Sequence, residues 1–196
     1  MQLPFSTALF ASLILVGCAG SSSAPVVIGA LPASAKLQQT IGRTLDRDLL
    51  ASRVIEYINA YRTRFRVAAL TPDRRVMQTA QWMADYQARN AVVTHTTNIP
   101  KLREFGERYR YHGGPDDSFG AENAGFYSLQ SAELERKMTY DEMARHIVSE
   151  WIRSPEHEEN LRARFENSPG AAGVGVTLGM YKGSEGVFIT MDVFFR

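Results

Sequence analysis

Cysteine is nearly absent: the 196 residues include one, Cys18. A lone cysteine excludes an intrachain disulfide and any zinc cluster built from thiolates. Net charge is nearly absent as well, with 22 Lys and Arg set against 21 Asp and Glu. Nucleic-acid binding needs concentrated positive charge, so no nucleic-acid partner is expected. The chain also lacks a Gly-x-Ser-x-Gly elbow, a His-Glu-x-x-His zinc motif and a phosphate loop ending in Gly-Lys-Ser/Thr. His157-Glu158-Glu159-Asn160 opens like the zinc motif but has no second histidine. A charged fraction of 22% argues against global disorder, and the length suits one domain.

What is present begins with an uneven start. Residues 1–18 contain no Lys, Arg, Asp or Glu, and Ala8 to Val16 is an apolar run too short to span a bilayer comfortably. It ends in Leu15-Val16-Gly17-Cys18, which resembles the lipobox of bacterial lipoprotein signal peptides. That resemblance implies removal of residues 1–17 and lipidation of Cys18, making the membrane a partner through the lipid. The expected localisation is therefore export and lipid anchoring to the cell envelope. Ala19, in place of Asp, favours the outer membrane by analogy with sorting in Gram-negative bacteria. Residues 18–44, rich in Ser, Ala, Gly and Pro in their first part, are expected to be a tether, and 45–196 the domain.

Within the domain a helical period runs from about Leu45 to Arg66, with Leu49, Val54, Ile58, Tyr61 and Phe65 near one stripe. A second helix should start after Thr71-Pro72-Asp73, with Pro in the first turn. Residues 100–106 could hold a short helix, and His112-Gly113-Gly114-Pro115 reads as an exposed loop. Thr139-Tyr140-Asp141-Glu142 is a capping box opening a helix to about Arg153, and Ser154-Pro155 starts another. Residues 173–178 and 187–194 alternate with period two around Lys182-Gly183-Ser184-Glu185-Gly186, which predicts a hairpin. Helices first and strands last is an α+β pattern, helices packed on an antiparallel sheet.

The polar residues in special surroundings are His95, after two valines, and Glu122-Asn123, flanked by Gly-Ala on one side and Ala-Gly on the other. His157 falls in the first turn of the helix that Ser154 caps, where the helix dipole favours a neutral imidazole able to coordinate metal. Taken in order, Val93-Thr94-His95-Thr96, Ala121-Glu122-Asn123, Trp151-Ile152-Arg153-Ser154-Pro155-Glu156-His157 with Asn160-Leu161, Gly173-Val174-Gly175-Val176 and Met191-Asp192-Val193-Phe194 resemble the motifs of the bacterial CAP (SCP-like) superfamily.

The resemblance implies an α-β-α sandwich whose cleft is floored by His95, Glu122 and His157. It also implies a divalent metal, such as zinc, on the pair His95 and His157, or a lipid, sterol, apolar or envelope ligand, or a protein partner. The second acid of many animal and plant members is replaced by Ser154, and Glu150 is the candidate substitute. The leading expectation is a non-enzymatic, membrane-tethered binding module of the envelope, since nothing beside Ser154 would activate it as a nucleophile. The alternatives are a metal-assisted hydrolase with Glu122 as general base, and a structural or adhesive envelope protein.

Overall fold

Most helices begin where a side chain can accept the free N–H groups of the first turn. In the computed structural model, which describes residues 28–131, 135–163 and 170–195, the Asp46 carboxylate accepts from Leu49 N to open α1 (Arg47–Thr63). Asp73, not Pro72, caps α2 (Arg74–Asn90), accepting from Arg75 N and Val76 N. Pro72 instead closes the two-residue strand β1 (Thr71–Pro72). Glu104 and Glu107 form a capping box for α3 (Phe105–Tyr111), which lies later than the expected 100–106.

Strand β2 (Phe119–Ser128) carries Glu122 and Asn123, and the short pair β3 (Gln130–Ser131) and β4 (Arg136–Lys137) follows it. The Thr139–Glu142 box opens α4 (Tyr140–Arg153), and α5 (Pro155–Arg162) has Pro in its first turn. Strands β5 (Ala171–Tyr181) and β6 (Ser184–Phe195) complete the hairpin. Lys182 and Gly183 turn it with φ of +48° and +84°.

The sheet order is β1-β5-β6-β2, antiparallel except for the short parallel pairing of β1 with β5. Alternation along the strands sorts residues onto two faces. One face carries Gly173 and Gly175, where an added Cβ would come within 2.2 Å and 2.3 Å of the α2 backbone. Helix α2 therefore lies almost directly on the sheet, and alanine at either position would push it away. The other face presents Val174, Val176, Ile189, Met191 and Val193, which join Val54, Ile58, Ile147 and Trp151 in one buried core. The result is an α-β-α sandwich, with α2 on one side and α1 and α4 on the other. Among the described residues no helix is long and apolar enough to cross a membrane.

The tether expectation needs correction over residues 28–44. Ile28, Leu37 and Ile41 are buried in the main core. Backbone bonds from Ile41 N to Met138 O, Tyr140 N to Gln39 O and Asp141 N to Leu37 O hold this strap to the start of α4. Buried Arg53 donates to Leu31 O and to Asp141. Apolar residues spaced within a Ser/Ala/Gly-rich stretch were enough to dock it. The expected signal segment and Cys18 lie outside the described residues.

Candidate functional site

Strand β2 is an edge strand, and its alternation sends Glu122 and Asn123 to opposite faces. Glu122 points to the α2 side, where its carboxylate is fully engaged. One oxygen lies 2.9 Å from His95 Nδ1, and the other accepts from Arg108 at 2.5 Å. Arg108, on α3, has no solvent exposure, and its guanidinium also donates to the carbonyls of His95 and Arg103. This one side chain therefore fixes the loop after α2 and the carboxylate that His95 faces.

Asn123 turns to the α5 side. Its Nδ2 donates to His157 O at 3.1 Å, and its Oδ1 accepts from Asn160 at 2.8 Å. Asn160 also donates to Glu122 O, so α5 is laced to β2 by amides. His95 and His157 thus approach the β2 edge from opposite layers, close enough that the charge of one acts on the other. The structure brings together His95 and Glu122 by contact, and His157 by position.

Glu150 is not part of this arrangement. It pairs with Arg153 on the outer side of α4, and the charge it presents acts on Tyr127. A second buried acid lies on β6: Asp192 is Glu122's cross-strand neighbour and is completely buried. Sequence reasoning passed over both Arg108 and Asp192. In sequence Asp192 reads as one more residue of a strand, and Arg108 sits in an ordinary charged stretch.

Two roles expected for these residues change. Glu122 is buried with both oxygens engaged, so it orients His95 and is not a base open to a cleft water. A zinc ion needs several open donors in one shell. Arg108 already holds the Glu122 oxygen that His95 leaves, and no group of three His, Cys, Asp or Glu among the described residues could hold a metal. The residues present do not fit the expected metal on His95 and His157.

The two imidazoles are driven apart in basicity. Hydrogen bonding to Glu122 raises His95 above the ordinary 6.5 against the opposing effect of burial. Burial, then the positive charge of His95, lowers His157 below 6.5. The helix end had been expected to lower His157; the direction agrees and the cause differs. By linkage, the raised group stabilises the fold fully below 6.5, and that contribution is lost as pH rises through its folded value. The lowered group does the reverse: its contribution is full above 6.5 and is lost as pH falls through its folded value. Imidazole NMR titration should therefore give His95 a midpoint above 6.5 and His157 one below. His95→Ala should raise the His157 midpoint, and Glu122→Gln should lower that of His95. Coincident midpoints would contradict this picture.

Between the start of β2 and the end of α5 opens a cavity of about 680 Å³. Phe65, Val67, Phe119 and Phe195 supply apolar lining, and Glu159, Asn160 and Arg162 supply polar and charged groups of both signs. Phe65 and Phe119 are 42% and 61% exposed, which is unusual for phenylalanine away from a binding surface. Ala121 and Asn160 belong to this wall, one preceding Glu122 and the other bonded to it, so cavity and polar cluster adjoin.

No protein-family model matches the chain, and no curated protein matches it in sequence. Solved structures do match in shape. An extracellular protein containing an SCP domain from Bacillus anthracis has a TM-score of 0.53 at 18% identity, over 80% of this chain and 45% of that one. An outer surface protein from Borrelia burgdorferi has a TM-score of 0.52 at 16% identity, over 80% of this chain and 98% of that one. The chain thus spans less than half of the Bacillus protein. Identities this low speak to architecture alone. The chain has the fold of the bacterial SCP domain, the CAP fold.

Proposed function

We propose that the protein is an exported, non-enzymatic module of the cell envelope that binds an apolar ligand, anchored through lipidated Cys18. The observation that carries this reading is the cavity with an exposed phenylalanine rim adjoining the histidine cluster. Its volume of about 680 Å³ lies in the range of small-molecule sites, and its wall mixes phenylalanine rings with polar side chains from α5. Arg162 in the wall is already paired with Glu158 and lies over the Phe65 ring, so the rings supply the attraction for a ligand. The extracellular and outer-surface settings of the two proteins of like fold support export. Anchoring rests on the Leu15-Val16-Gly17-Cys18 resemblance. The outer membrane is the membrane favoured if the cell is Gram-negative.

The test is a titration of the purified protein with anilinonaphthalene sulfonate, an apolar ring system with an anionic end, beside the Phe119→Asp variant. Saturable binding weakened at least about tenfold by a charge at the rim supports the reading; one lost contact of about 1.4 kcal/mol gives that factor.

One observation favours a second reading. A carboxylate-held imidazole is the orienting half of many acid–base sites, and His95 has one in Glu122. In that reading His95 is the proton acceptor and the reaction is hydrolysis without metal. Peptide or glycan hydrolysis that survives His95→Ala and His157→Ala would contradict it.

A further inference from the structure

Asp192 has no exposure, and neither of its carboxyl oxygens receives a hydrogen bond from an N–H or O–H of the structure. What faces it across the strand pair is another carboxyl group, that of Glu122. A hydrogen bond between two carboxyl groups requires a proton on one of them. Glu122 is fitted to be the ionised partner, because Arg108 donates to one of its oxygens and His95 lies against the other.

Among the other surroundings of Asp192 the compensating charge is that of Arg108, which opposes the rise and is already engaged by Glu122. On β5 its cross-strand neighbour is Gly173, which has no side chain. Above this face α2 buries Val76, Ala80 and Thr79, and the Thr79 hydroxyl donates to Arg75 O. From α3 come Arg108 and Tyr109, whose ring stacks on Phe194. On α5, Glu156 acts on His95, and His95 in turn acts on His157. Two buried carboxylates against one buried guanidinium leave a negative charge uncompensated whenever His95 is neutral, an expensive state. Paired carboxyl groups resolve this by sharing one proton.

We propose that Asp192 is a further member of the site, a carboxylic acid that donates its proton to Glu122 and so positions the Glu122–His95 pair. Arg108 and Glu122 then cancel, Asp192 is neutral, and His95 is the group through which this cluster changes charge. Burial and the neighbouring negative charge act in the same sense, both raising the proton affinity of Asp192. The proposal stands whether or not the adjoining cavity takes an apolar ligand.

The experiment is carboxyl carbon NMR on the purified protein, with Asp192 assigned through bonds to Val193, so that no variant is needed. The Asp192 carboxyl should hold the chemical shift of the protonated acid through neutral pH, while exposed aspartates are ionised. An ionised Asp192 at pH 7 would overturn the proposal. A second measurement uses Asp192→Asn, whose amide supplies the same donor without a charge. His95 should then keep its titration midpoint to within about 0.3 unit, since no charge has been removed. A clear fall in that midpoint means that a negative charge was lost, and it also overturns the proposal.

Discussion

Arg108→Met is expected to lower stability by roughly 3–5 kcal/mol, the usual penalty for breaking a buried ion pair from one side. Methionine keeps much of the arginine stem's bulk, so packing loss is a minor part of the effect. What disappears is the cation beside Glu122 and Asp192, together with the donors that reach the carbonyls of His95 and Arg103. Lysine should rescue little, because one ammonium cannot reproduce a planar fork that meets a carboxylate and several carbonyls. Urea unfolding measures the loss directly. The surviving folded fraction should also show a lowered order of the loop carrying His95. An unchanged midpoint would mean that the buried charges are not held as described.

A protein starting at residue 45, the domain limit drawn from sequence, should unfold at markedly lower urea than one starting at residue 28. The shorter chain exposes the surface that Ile28, Leu37 and Ile41 cover, and each such side chain contributes about 1.5–3 kcal/mol when buried. Ordering entropy of the strap offsets part of that sum. Ile41→Ala alone, at 0% exposure, should cost about 2–5 kcal/mol. Equal midpoints for the two chain lengths would show the strap to be a passenger.

The helices were legible because their signals are local. The Thr139–Glu142 box and the i, i+4 spacing of Met143, Ile147 and Trp151 needed no tertiary information, and all three apolar residues are fully buried. The hairpin was legible for the same reason, although its strands run longer than the alternating cores within them. Strand β2 was not. Gly120-Ala121-Glu122-Asn123-Ala124-Gly125 has no β-branched residue, and it is a strand only because β6 pairs with it along its length.

The site divides in the same way. His95, Glu122 and His157 could be named from motif order, and the sandwich puts them at one strand edge. Asp192 and Arg108 could not, since their roles depend on cross-strand register and on α3 packing beside β2. Glu150 failed for a local reason: Arg153, three residues on, was already its partner.

The central claim is that the phenylalanine-rimmed cavity beside this cluster holds an apolar ligand. Fluorescence titration with anilinonaphthalene sulfonate, run on the folded protein and on Phe119→Asp, tests it most directly. Near-UV circular dichroism should be recorded alongside, because the same dye reports loosened cores. The account predicts one saturable site in the native protein and binding at least about tenfold weaker in the variant, with both spectra native. Absence of saturable binding, or equal binding by the two proteins, would contradict it.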